Sequence, residues 1–172
     1  MIGTQPQLIP IALNPSDVVY TPDWVARDMV DYFKPHGRIL EPCAGDGVFL
    51  KYLPEGTEWC EIERGRDFFQ WVEPVDWIVG NPPYDKFSKW LQHSFKVSNN
   101  VVYILPANKP FNSYLLIGLM QAWGEIVHMR HYGVARHIFG DIDLGFSVAA
   151  IHFQRNYHGG MTMSYYEGNG RD

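Results

Sequence analysis

The chain has 172 residues, 46% of them apolar and 19% charged, which suits one domain with a real core and excludes disordered, collagenous and coiled-coil classes. Its longest apolar run, residues 114–120, falls far short of a membrane span of ~20 residues; residues 1–13 lack a basic start, and two cysteines make neither a disulfide framework nor a metal pair, so a cytoplasmic protein is expected. The formal net charge is −5, yet residues 1–85 hold six Lys/Arg against fourteen Asp/Glu and residues 86–137 hold six against one, so a basic stretch follows an acidic half.

Pro6, Pro10 and Pro15 interrupt residues 1–17, which read as an irregular N-terminal arm. Thr21-Pro22-Asp23 marks a helix start, with Thr21 as cap and Pro22 in the first helical position. Val25, Met29, Val30 and Phe33 then form one apolar stripe, which Lys34-Pro35 ends. A strand over 38–41 runs into the Gly-rich turn Cys43-Ala44-Gly45-Asp46-Gly47, and a short helix over 48–53 stops at Pro54. Strands follow over 57–62 and 75–79, the second leading into Asn81-Pro82-Pro83-Tyr84. A helix over 87–95, an apolar strand over 101–105 and a helix over 113–123 precede two long strands, 126–132 and 146–154; residues 161–166 can add an edge strand. Trp77, Trp90 and Trp123 sit among apolar residues and read as core. The alternation predicts an α/β fold with a mostly parallel sheet and helices on both faces.

Two places on this scaffold carry chemistry. The strand–turn–helix from Ile39 to Gly47 lets a ligand approach bare backbone at a helix start, and Glu61, at the end of the next strand, is placed to accept from a ribose diol. Asn81-Pro82-Pro83-Tyr84 follows a buried strand, so it projects from the carboxyl edge of the sheet. Its two prolines stiffen the turn, which leaves the Asn81 side-chain oxygen and the Pro82 carbonyl as fixed acceptors. A planar amine or amide nitrogen is a poor nucleophile because its lone pair is delocalised. Two acceptors on its hydrogens would draw the nitrogen toward tetrahedral geometry, the oxyanion-hole argument with its sign reversed.

With these motifs, residues 18–156 resemble the gamma-order N6-adenine-specific DNA methyltransferases, enzymes dependent on S-adenosylmethionine. The resemblance implies a Rossmann-like class I methyltransferase fold with a C-terminal antiparallel strand. It implies a cofactor site formed by Thr21, the loop Glu41, Pro42, Cys43, Ala44, Gly45 and Gly47, the ribose acid Glu61 with Ile62, the adenine-holding pair Asp67 and Phe68, and Asn81 with Pro83. It assigns catalysis to Asn81, Pro82 and Tyr84, with Phe139, from the closing hairpin, stacking on the flipped target base; Phe146 is the alternative. Lys86, Lys89, Lys109, Arg130 and Arg136 then become candidate phosphate contacts. Cys43 matches the nucleophile position of cytosine-C5 methyltransferases but lies in the cofactor loop, so it reads as packing. His128, His131, His137, His152 and His158 lack metal-binding spacing, and no metal is expected.

Two departures from the family are visible. Only four residues separate Ile62 from Asp67, too few for a helical crossover, so the usual helix is missing and the third strand is vestigial. Residues 157–172 form a tail with no target-recognition domain, which suggests relaxed specificity, as in phage orphan methyltransferases, or a separate specificity subunit or homodimer. The implied setting is a bacterial or phage-infected cell and the implied partner is nucleic acid, DNA ahead of RNA. The competing readings are an RNA adenine methyltransferase, a protein-glutamine methyltransferase, and a non-catalytic nucleic-acid-binding subunit.

Overall fold

A run of valine, isoleucine and leucine at consecutive positions, rather than alternate ones, marks a strand covered on both faces. The run Val101-Val102-Tyr103-Ile104-Leu105 is of this kind, and it lies at the centre of the protein. The computed structural model describes residues 20–140 and 145–168, and the arm expected over 1–17 lies outside them. Seven strands form one sheet: β1 (Ile39–Glu41), β2 (Glu58–Trp59), β3 (Val75–Gly80), β4 (Ser98–Pro106), β5 (Gly124–Val134), β6 (Ser147–Arg155) and β7 (Thr162–Tyr165). Their spatial order is β2-β1-β3-β4-β6-β5-β7, and only β6 runs against its neighbours.

Alternate residues of the central strands feed two cores. On one face Ile78, Val101, Tyr103 and Leu105 pack with α2 (Phe87–Val97) and α3 (Tyr114–Trp123). On the other, Trp77, Val79, Val102 and Ile104 meet α1 (Asp23–Phe33) and the short α4 (Ala135–Ile138). Of the expected stripe, Val25, Met29 and Val30 are buried and Phe33 is half-buried, and Ala26 joins them in the core. His152 stacks on Trp77 at 5.0 Å and bonds Asn100 Oδ1, and burial pushes its pKa down to about 4, so it is a neutral core residue.

The structure differs from the sequence expectation at element ends. Pro22, not Thr21, is the N-cap of α1, without a side-chain cap bond, and Thr21 is buried. The helix expected over 48–53 is a single 3-10 turn, Phe49–Lys51. The second strand stops at Trp59 because Glu61 already caps the next turn, its carboxylate accepting from Glu63 N. Two 3-10 turns, Ile62–Arg64 and Phe68–Gln70, carry the chain from β2 to β3 in place of a helix. The tail contributes β7, which pairs parallel with β5.

Candidate active site

From β1 the chain passes to β2 on one side and then to β3 on the other. The crevice at the carboxyl ends of β1 and β3 is therefore a topological switch point, where open α/β sheets bind ligands. Glu41 ends β1 with 1% of its surface exposed. Beyond it the loop is tied to the end of β2: Cys60 N donates to Glu41 O (2.8 Å) and Ala44 N to Cys60 O (2.9 Å). Gly45 N donates to Glu61 Oε2 at 2.6 Å, and Arg64 returns a bond to Gly45 O at 3.0 Å. Gly45 and Gly47 have φ of +49° and +80°, which side chains resist, and a Cβ on Gly45 would meet only Tyr20, at 4.0 Å. The loop thus presents bare backbone beside two carboxylates.

Glu41 Oε2 is sealed from solvent without a hydrogen-bond partner among the described residues. Burial, reinforced by the charge of Glu61, pushes its pKa up to about 8. A buried carboxyl in this state gains most from a cationic ligand. Burial, and then the nearby Glu41, also drive the Cys43 thiol well above its usual range, which makes it inert; the Asn81 backbone N–H acts in the opposite sense.

The Asn-Pro-Pro-Tyr turn is locked to this loop at its first step. A Cβ on Gly80 would stand 3.2 Å from Pro42 Cδ and 3.4 Å from Cys43 Sγ, so any side chain at residue 80 would press β3 and the loop apart by a few tenths of an ångström. Asn81 Oδ1 is shielded from solvent, Pro82 is buried and Pro83 is exposed. Tyr84 turns its ring edge toward Phe146, with centroids 6.3 Å apart and planes at 78°. Its hydroxyl is sealed without a partner among the described residues, and burial raises its pKa.

Glu41 to Gly47, Glu61, Asn81 and Tyr84 therefore converge at one edge, and Tyr20, next to Thr21, approaches Gly45. Ile62 lies exposed just past Glu61, and Asp67 accepts from Phe69 N at 2.9 Å. The Phe68 ring is not part of this surface: it stacks on Trp90 at 4.9 Å and stands edge-on to His93 at 4.7 Å, leaving only its backbone to a ligand. Phe139 ends α4, and both it and Phe146 pack on the α1-side core; Phe146 is in addition the ring beside Tyr84. Lys86, Lys89 and Arg136 are exposed and Lys109 is half-buried at the end of β4's connection.

Arg130 requires a correction. Its side chain is 13% exposed and donates to both oxygens of Asp28 at 2.6 and 2.8 Å while lying over the Tyr32 ring, so it clamps α1 to β5 and is withdrawn from phosphate. Tyr132 donates to the same Asp28 at 2.7 Å. The sequence offered no sign of this network, because its members lie about a hundred residues apart.

No family model matches the chain, and no curated protein sequence matches it. Solved structures do. The type I restriction enzyme EcoKI M protein superposes with a TM-score of 0.60 at 12% identity over 79% of this chain and 44% of its own. The 23S rRNA methyltransferase ErmE gives 0.58 at 16% identity over 77% and 68%. Magnesium protoporphyrin IX methyltransferase from Synechocystis PCC 6803, solved with bound S-adenosylmethionine, gives 0.54 at 9% identity over 78% and 79%. The fold is that of a class I methyltransferase. The chain spans less than half the length of the type I restriction–modification chains it matches.

Proposed function

We propose that this chain is an S-adenosylmethionine-dependent methyltransferase acting on the N6 amine of adenine in DNA, of the gamma order, with residues 18–156 as its catalytic domain. The observation that carries the reading is the close approach of the end of β3 to the loop, where Gly80 leaves no room for a side chain against Pro42 and Cys43 and the Asn81 backbone N–H reaches Cys43, so the acceptor turn and the glycine loop adjoin at the switch point. The residues fit the cofactor. Glu41 supplies a buried negative partner for its cationic methionine end, Gly45 and Gly47 admit it to the backbone, and Glu61 retains lone pairs for a ribose diol. Thr21, Pro42, Cys43, Ala44 and Pro83 shape the walls, with Ile62, Asp67 and the backbone of Phe68 at the adenine end. When bound, the cofactor supplies an electrophilic methyl group on a positively charged sulfur.

With its side chain turned out of the shielded position, Asn81 accepts through Oδ1 one amino hydrogen and the Pro82 carbonyl the other, and together they hold the nitrogen lone pair toward that methyl and stabilise the positive charge that develops on nitrogen. The methylated nitrogen is then acidic and passes its proton to water. Tyr84 and Phe146, with Phe139 behind them, clasp a base extruded from its helix. Lys86, Lys89, Lys109 and Arg136 are the phosphate contacts.

An RNA adenine substrate is the second reading, favoured by one observation: the 23S rRNA methyltransferase ErmE shares the fold, at a TM-score of 0.58. Radiolabelled methyl transfer to duplex DNA, single-stranded DNA, RNA and release factor, followed by nucleoside mass spectrometry, separates the readings. N6-methyladenine in DNA supports the proposal, label in RNA alone selects the second reading, and methylcytosine or label on protein alone overturns both.

A further inference from the structure

A helix that is apolar all round belongs inside a protein or an assembly. Tyr114–Trp123 contains no Asp, Glu, Lys, Arg or His, yet only Leu116 and Met120 of α3 are buried. Its outer face, at helical spacing, is Tyr114, Leu115, Gly118 and Ala122. Tyr114 is 95% exposed and Leu115 54%. Beside this face lies a cavity of about 280 Å³ lined by Phe111, Ile117, Met120, Gln121, Ile126 and Met161, among others. On β7, Met163 continues the apolar surface, and Phe111, Met161 and Met163 are each about half exposed.

We propose that this face joins two copies of the chain, their α3 helices crossing antiparallel about a two-fold axis at Gly118. The arrangement is self-complementary. Tyr114, Ile117 and Gln121 share one flank of α3, and a two-fold at Gly118 brings Tyr114 opposite residue 122 of the other copy, beside that copy's cavity. Each copy thus offers one aromatic knob and one hollow. Gly118 lets the helices close up, since a Cβ there meets nothing within 4 Å in its own chain. No like-charge repulsion opposes a second copy across α3, which carries no charge, and Glu125 is the acidic residue at the neighbouring cavity. At 150–250 Å² for a large side chain, the exposed parts of the five apolar residues remove about 600 Å² per copy, about 1,200 Å² in the pair, which reaches the range of specific interfaces.

Sedimentation velocity of the purified chain at about 100 μM tests the proposal, because an interface of this size holds a dimer at micromolar concentrations. A dimer is expected for the wild type. Gly118→Lys and Tyr114→Ser should each weaken it roughly tenfold or more without lowering the thermal midpoint of the monomer. Gly118→Cys should give a covalent dimer on mild oxidation that the wild-type cysteines do not give. A monomeric wild type overturns the proposal, as does a dimer indifferent to Gly118→Lys, or α3 engaging a different protein while the chain alone stays monomeric.

Discussion

Glu41→Gln tests the electrostatic basis of the site. In the unfolded chain the carboxyl ionises near its ordinary value of 4.5; in the folded protein it holds its proton to about pH 8. Between those values the folded state binds more protons than the unfolded, so stability is greatest below pH 4.5 and declines as pH rises through 8. A difference of about 3.5 units corresponds to about 5 kcal/mol at the upper limit, since each unit is about 1.4 kcal/mol. Glutamine has nearly the same shape and does not titrate. Urea midpoints of both proteins from pH 5 to 9 should converge at the acid end, with the variant several kcal/mol more stable at the alkaline end. Cofactor binding should move the other way. A cationic ligand favours ionised Glu41, so wild-type affinity rises from pH 6 to 8 with release of a proton, measurable by calorimetry in buffers of different ionisation enthalpy, whereas the variant binds more weakly without that pH dependence. Parallel stability profiles would refute the burial argument; an unchanged pH dependence of binding would separate Glu41 from the cofactor.

Three other outcomes are expected. Asn81→Ala should lower turnover by roughly 10²–10³, as loss of one oxyanion donor does, while calorimetry shows cofactor affinity within a few-fold of wild type. Phe146→Ala should reduce base extrusion, read as 2-aminopurine fluorescence in a substrate duplex, more than Phe139→Ala, because Phe146 is the ring that meets Tyr84. Arg130→Ala should destabilise the fold by about 2–4 kcal/mol in urea titrations, having left Asp28 without its bidentate partner. It should leave the salt dependence of nucleic-acid binding intact, whereas Lys86→Ala or Lys89→Ala flattens that slope by about 0.9 for each phosphate no longer neutralised.

What the sequence discloses here depends on the span over which each cause acts. The stripe of α1, the two-faced run of β4 and the stiff turn after β3 are set by neighbours a few residues apart, and each appears in the structure where periodicity and proline chemistry place it. The short connection from Ile62 to Asp67 was legible in the same way, since too few residues cannot make a crossover helix.

Side-chain commitments are another matter. Arg130 and Phe68 have the residue types of a phosphate contact and an adenine wall, but Asp28, 102 residues away, and Trp90 claim them. Those pairings follow from how α1 packs against β5 and how the turn at Phe68 packs against α2. Phe146 shows the converse: nothing local distinguishes it from Phe139. It meets Tyr84 because β6, the one reversed strand, begins at the edge where the parallel strands end. A single antiparallel strand thus brings a residue from its amino end into a site built from carboxyl ends; Phe139 follows the carboxyl end of β5 at the same edge, so it is the contact with Tyr84 that favours Phe146 as the ring facing an extruded base.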